Sequence, residues 1–183
     1  NQTLRPDESC ASANPSLVEA WPESLAKVTG DVVLINESDA RIVNERFVEE
    51  LVAALEPDTI VKGLEVSHSY ENFANVCCRA ELLKRIPVTT EYSLGQDTEW
   101  YERCKRAGVR VKQIPRAAVV HDRGFATEKM LSRAYEYGRL NVRLIRKYGF
   151  YDLGELIRRY ELRRKIAEEF LKGAADELSS AAS

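Results

Sequence analysis

The chain has 183 residues, 44% of them apolar and 31% charged, with a net charge of −2, which suits one domain large enough for a real core. That composition excludes long disorder and collagen-like or mucin-like material. No apolar run approaches the ~20 residues of a spanning helix, and a pI near 5.9 with an acidic first third opposes nucleic-acid binding.

Charge is unevenly spread. Residues 1–60 hold 12 acids and 4 bases, whereas Arg158 to Lys165 sets five bases against Glu161. The basic end reads either as a solvated helix face or as a surface for an anionic partner such as lipid headgroups. Asn1 is preceded by neither an initiator Met nor a signal region, as in a fragment or processed product. Cys10, Cys77, Cys78 and Cys104 show no zinc-type spacing; Cys77-Cys78 reads as small apolar residues in a buried run, and a reduced, cytoplasmic setting fits.

In chain order, Pro6, Pro15 and Pro22 punctuate the first stretch, where Ser16 to Ala20 or Pro22 to Val28 forms a short helix. Gly30-Asp31 leads into the apolar run Val32 to Ile35, a strand buried on both faces, which breaks into Asn36-Glu37-Ser38-Asp39-Ala40. Asn44 is placed to cap a helix with the apolar face Phe47, Val48, Leu51, Val52 and Leu55. Thr59 to Val66 is rich in strand formers, and Ser67 to Asn72 is a polar loop in which His68 is either a surface residue or a substrate contact. Ala80 to Ile86 is a short helix stopped by Pro87.

Leu94-Gly95-Gln96-Asp97 opens a helix that runs to Arg106, with Gly108 just past its end and Lys105 and Arg106 in the last turn. Val109 to Ile114 is a strand, Pro115 interrupts its ladder, and Ala117 to Val120 forms a second run closed by His121. A carboxylate thus sits at the mouth of a helix and an imidazole at the end of the next extended segment. Asp122-Arg123-Gly124 is a turn. A long helix follows from Thr127 to Lys147, with Gly138 on its apolar stripe implying close packing, and Gly149 terminates it. The last helix, Gly154 to Lys172, packs on its own domain, on a partner or on a membrane surface; Ala174 to Ser183 reads as a frayed tail.

Several of these blocks, in order, resemble family 2 glycosyltransferases of the GT-A fold. They are Gly30-Asp31 with Glu37-Ser38-Asp39-Ala40, a Glu-x-Asp where the family has Asp-x-Asp; Asn75 with Arg79, in a segment that starts a helix in the family; and Gly95-Gln96-Asp97-Thr98, Arg103 to Gly108, Pro115 and His121. Gln96 stands where the family has glutamate. The resemblance covers Gly30 to about Tyr148 and lacks the family's opening strands, which hold the nucleotide base and ribose. It implies an α/β fold: a partial GT-A (Rossmann-like) mixed sheet flanked by helices over residues 1–148, then a basic amphipathic helix and disordered tail over 149–183.

The implied chemistry is inverting, metal-assisted transfer of a sugar from a nucleoside-diphosphate donor to the hydroxyl of a glycan, lipid-linked or other acceptor. The resemblance makes Asp97 the catalytic base, Asp39 and His121 the ligands of Mg2+ or Mn2+, and Glu37, Asn75, Arg79 and Gln96 substrate-binding residues. Hard oxygen donors beside a buried strand suit such a cation, which keeps waters and substrate phosphates in its shell. For Asp97 a helix-capping acid, for Asp39 a polar turn and for His121 a strand-end histidine bonded to backbone are the purely structural alternatives. At the level of the whole chain, the alternative is a catalytically incompetent fragment or interaction domain that retains the GT-A shell.

Overall fold

A computed structural model describes residues 17–37, 40–65, 75–92, 95–121, 127–149 and 160–180. The chain divides into two compact units, residues 1–123 and 124–183. The division falls just before the long helix that begins at Thr127.

In the first unit the order is α1 (Leu17–Ala26), β1 (Val32–Asn36), β2 (Ala40–Ile42), α2 (Phe47–Ala53), β3 (Thr59–Glu65), β4 (Asn75–Arg79), α3 (Ala80–Arg85), α4 (Gln96–Arg106) and β5 (Arg110–His121). The strands form one mixed sheet in the order β1-β4-β3-β5-β2. β3 and β5 run parallel, and the other pairings are antiparallel.

Alternation along the strands sends successive side chains to opposite faces. Val33, Ile35, Ile60, Val76 and Cys78 pack with Leu82 and Leu83 of α3 and Trp100, Tyr101 and Cys104 of α4. Val61, Cys77, Ala117 and Val119 pack on the other face against Phe47, Val48 and Leu51 of α2. The vicinal cysteines therefore serve both cores, as small apolar residues.

Four local expectations change. α1 is one helix with Pro22 inside it, and it adds Trp21 and Leu25 to the first core. Asn44 does not cap α2: the cap position is Arg46, and Asn44 instead accepts the Arg46 N–H at 2.8 Å and donates to the Arg116 carbonyl at 2.6 Å. Asn75 to Arg79 is a strand, not a helix start; the helix begins at Ala80. β5 continues through Pro115, and the disturbance appears as a register slip: Gly63 faces Ile114, but Leu64 faces Ala118.

That slip shapes the sheet. β1 and β2 are its outer strands, and four spacings of ~4.8 Å would hold them about 19 Å apart if it were flat. The linking residues 37–39 can stretch only ~14 Å from Asn36 to Ala40. The Asn36 amide nevertheless donates to the Ala40 carbonyl at 3.0 Å, so the end of β1 and the start of β2 lie close together and the sheet is not flat. Gly63 sits at the slip because a Cβ there would lie 2.2 Å from the Ala117 carbonyl oxygen; only glycine lets the two backbones pass.

α4 ends as expected. Gly108 has φ +79°, the Val109 N–H reaches Cys104 O at 2.9 Å, and the Gly108 N–H reaches Lys105 O at 3.0 Å. These are the paired bonds of a Schellman motif.

The second unit holds α5 (Thr127–Tyr148) and α6 (Tyr160–Ser180). They touch backbone to backbone: a Cβ on Gly138 would lie 1.9 Å from Phe170 O, and one on Gly173 would lie 2.1 Å from Tyr135 O. The close packing expected of Gly138 is met by α6. Ala174 to Ser180 is helical rather than frayed, held by Asp176, which accepts from the Tyr135 hydroxyl at 2.8 Å, and by Glu177, which is clasped by Arg139 and Arg143. Among the described residues no helix is long and apolar enough to cross a membrane.

Candidate active site

The strand directions decide which residues meet. The C-terminal ends of β1, β3 and β5 and the N-terminal ends of β4 and β2 share one end of the sheet, which gathers Asn36, Glu65, His121, Asn75 and Ala40. α4 packs on the first face through Trp100, Tyr101 and Cys104 and enters β5 through the Schellman turn at the far end; Gly95, Gln96 and Asp97 lie at its other end.

Register gives the pairs. Asn36 lies opposite Asn75, and Ala40 lies opposite His121. Glu37 is half-buried next to Asn36. Asp39, the neighbour of Ala40 in sequence, lies outside the described residues, as do the His121 side chain, His68 and the turn at 122–124. Arg79 is not brought here: it faces Val32 at the opposite end of β4 and is exposed, a five-residue strand placing its ends ~13 Å apart.

Gly95, at φ +73°, occupies the cap position of α4 and supplies no side-chain cap. Asp97 is therefore a first-turn residue rather than the cap, half-buried, with Oδ1 accepting the Thr98 N–H at 2.8 Å. The helix is anchored by a buried pair. Glu99 accepts from Arg103 Nε at 2.9 Å through both oxygens, and Arg103 also donates to the Pro87 carbonyl at 2.7 Å. Trp100 adds a buried hydrogen bond from Nε1 to Ile86 O at 2.7 Å.

Two amides stand out. Asn75 is fully buried with neither Nδ2 nor Oδ1 hydrogen-bonded, and Gln96 is 5% exposed with Nε2 unpaired, among the described residues. A buried polar atom without a partner costs about 1–3 kcal/mol, so groups of this kind belong where a ligand or water completes them. The sequence points to both residues but not to their burial. It gives no warning of Lys62 and Glu65, which are 6% and 5% exposed on the central strand β3, beyond the presence of two charges in the strand Thr-Ile-Val-Lys-Gly-Leu-Glu. Charges are rarely buried without a purpose, and that pattern is the signal that could have found them.

The thiols carry no chemistry here. Burial pushes Cys77 and Cys104 up to about 12 and raises Cys78 as well, so all three stay protonated. Among the described residues no three His, Cys, Asp or Glu side chains cluster to hold a metal; Asp39 and the His121 side chain fall outside that set.

No family model matches the chain, and no curated protein does. Among solved structures it is similar to the mannosyltransferase PcManGT from Pyrobaculum calidifontis in complex with GDP-Man and Mn2+, with TM-score 0.60 and 17% identity over 92% of this chain and 55% of that one. It is also similar to glucosyl-3-phosphoglycerate synthase from Mycobacterium tuberculosis in complex with Mn2+, UDP-Glc and glycerol 3-phosphate, with TM-score 0.51 and 18% identity over 78% of this chain and 58% of that one. The chain thus spans rather more than half the length of either neighbour. Its mixed sheet flanked by helices on both faces is the α/β fold of GT-A type glycosyltransferases.

Proposed function

We propose that the chain is the acceptor-side part of a family 2-like, inverting glycosyltransferase that moves a sugar from a nucleoside-diphosphate donor to an acceptor hydroxyl. The observation that carries this reading is the pairing of Ala40 with His121 at the end of the sheet where Asn36 lies opposite Asn75. One peptide step, ~3.8 Å between Cα atoms, separates Asp39 from Ala40. A carboxylate and an imidazole therefore come from neighbouring backbone positions, a donor set that fits Mn2+ or Mg2+. Both structural neighbours carry Mn2+ with a nucleotide sugar, which supports the same choice.

In this reading Asp39 and His121 hold the cation, whose chemistry is to neutralise charge on the departing diphosphate. Glu37 faces the ribose or a metal-bound water. The buried amides of Asn75 and Gln96 find their missing partners on the sugar hydroxyls. The acceptor oxygen attacks the anomeric carbon from the face opposite the diphosphate; the new C–O bond forms as the bond to phosphate breaks, and Asp97 takes the hydroxyl proton. Arg79, at the other end of β4, is left out.

The rival reading, an interaction domain that keeps the shell without turnover, is less favoured because such a domain has no use for unpaired buried amides. A reducing, cytoplasmic location belongs with the reading. Peripheral contact with a membrane through the basic stretch before Lys165 goes with it too.

The test is thermal stabilisation by UDP-, GDP- and dTDP-sugars with and without Mn2+, followed by transfer assays on Asp97→Asn. We expect stabilisation only with metal and nucleotide sugar together, and a variant that binds donor but transfers about 100- to 10,000-fold more slowly, the range of a general base's contribution. The absence of stabilisation by any nucleotide sugar favours the interaction domain, and full turnover by Asp97→Asn removes Asp97 from the mechanism.

A further inference from the structure

Alternation along β3 and β4 sets two buried polar side chains on one face of the sheet. Cys77 of β4 packs against α2, so Asn75, two residues before it, faces the same way. On β3 the Phe47 ring lies against Gly63, and Glu65, two residues on, pairs with Val119, which packs on that face as well. The register sets Val61 against Cys77 and Lys62 against Val76. Carried one residue further, it sets Gly63 beside Asn75, with Glu65 diagonally ahead. Diagonal neighbours on adjacent strands lie ~7–8 Å apart. Lys62, the other buried charge of β3, goes with Ile60 and Val76 to the opposite face.

The Asn75 amide is hydrogen-bonded at neither atom, although a carboxylate is its diagonal neighbour and the amide of Asn36 stands opposite. Asn36 is engaged elsewhere: its Nδ2 donates to the carbonyls of Glu37 and Ala40, each at 3.0 Å. Asn75 therefore lacks an acceptor for Nδ2 and a donor for Oδ1. A carboxylate such as Glu65 offers about four lone-pair sites and no donor. Hydroxyl groups meet both demands, because each of them donates and accepts. A pair on one ring can donate to Glu65 and to Asn75 Oδ1 while accepting from Asn75 Nδ2. Phosphate oxygens only accept, and a carboxylate beside them repels them.

We propose that Glu65 and Asn75 together form a subsite for a neighbouring pair of uncharged hydroxyls on a sugar ring. The inference rests on the function proposed above and deepens it: it adds Glu65 to the site and assigns this face of the sheet to the ring rather than to the diphosphate. The ring belongs to the donor or to the acceptor, and binding separates the two. The unliganded protein carries a signature of the subsite as well. Leu has nearly the shape of Asn and leaves no polar atom unpaired, so Asn75→Leu removes the subsite without harming the fold. An Asn75 that served only the fold would show the reverse.

The experiment is isothermal titration of the full chain, with Mn2+ present, by UDP, UDP-glucose, GDP and GDP-mannose. Free glucose and mannose are then titrated into the chain saturated with UDP or GDP, and thermal unfolding without ligand is measured in parallel. A donor ring in the subsite makes the nucleotide sugar bind more tightly than the bare nucleotide; an acceptor ring makes the free sugar bind the saturated chain. In the arm that responds, Glu65→Gln and Asn75→Leu are each expected to lose about tenfold or more of the sugar-dependent affinity, the weight of a hydrogen bond to a charged group. Binding of UDP and GDP stays within twofold of wild type, and Asn75→Leu melts no lower than wild type. Variants that keep the sugar-dependent affinity, variants that lose bare-nucleotide binding equally, or an Asn75→Leu that melts several degrees lower overturn the subsite. A wild type that binds UDP or GDP but gains nothing from sugar in either arm overturns the subsite and leaves nucleotide binding standing. One that binds no probe overturns the proposed function and this inference with it. Should Glu65→Gln fail to fold, the side-chain amide resonances of Asn75 in the wild type take its place. A shift with sugar beyond that given by UDP or GDP alone upholds the subsite, and none overturns it.

Discussion

Glu99 and Arg103 show how a single pair of side chains anchors the helix that delivers Asp97. Glu99 is 1% exposed and Arg103 25%, so the pair sits at the margin of the core. Removing Arg103 takes the guanidinium partner away from a buried carboxylate, and Arg103→Ala is expected to cost about 3 kcal/mol, the lower end for a broken buried pair. Replacing both residues by Met recovers most of it, since a matched apolar pair avoids the desolvation penalty; chemical denaturation of the two variants measures the difference. The i,i+4 spacing was legible in the sequence, but the burial was not, because it depends on α3 and the Pro87 carbonyl closing over the pair. The same limit applies to Lys62, Glu65 and Asn75, whose types are visible in the chain and whose environments come from other strands. The cysteines give a residue-scale prediction with a definite sign. Cys77 and Cys104 lie near 12 in the fold against an unfolded value near ~8.5. The folded state therefore holds protons the unfolded one releases, and stability falls as pH rises above that unfolded value toward 12. Urea midpoints at pH 8 and pH 10 should show the drop, and alkylation of the buried Cys77, Cys78 and Cys104 at pH 8 should require unfolding.

Elements meet at glycines in this protein, and each meeting makes a test. At Gly63 an added methyl falls 2.2 Å from the Ala117 carbonyl. Gly63→Ala must push β5 away and is expected to destabilise by about 2–3 kcal/mol, as overpacking does. Because β2 pairs only with β5, the variant should also lose hydrogen-exchange protection in β2 before it loses any in β4. Gly138→Ala acts the same way between α5 and α6, with backbone rather than a flexible side chain in its path; a fall in melting temperature checks it. Periodicity announced Gly138, since a glycine costs a helix stability and its place on the apolar stripe points to a neighbouring backbone that needs the room. It did not announce β4, where Asn-Val-Cys-Cys-Arg is too short to separate strand from helix. Nor did it show β5 passing through Pro115, because proline at a slip loses no ladder bond there.

At the scale of the molecule the chain is two units, and the second carries its own acid response. Arg143, with Arg139, holds the Glu177 carboxyl below its ordinary range. A depressed carboxylate contributes stability that is present above its unfolded pKa and lost as pH falls through the folded value. Hydrogen exchange in α5 and α6 should therefore quicken between pH 5 and pH 3 more in wild type than in Glu177→Gln, while the sheet responds less. Gly149 was legible as the stop of α5, but the packing of α5 on α6 was not, since it depends on a helix further along the chain. The sheet itself was largely readable from β1, β3 and the Gly108 turn, but its closure was not, since that depends on β2, three residues long, finding a strand far along the chain.

That last pairing has a temporal side. Ala40 and His121 are neighbours across a ladder although about 80 residues separate them, and closing so long a loop is slow relative to local steps. On a ribosome the acidic turn emerges early and waits, with β2 unable to dock until β5 has cleared the exit tunnel. Nascent chains stalled before residue 121 lack the end of the strand on which β2 docks, so this edge of the sheet is among the last features of the first unit to mature.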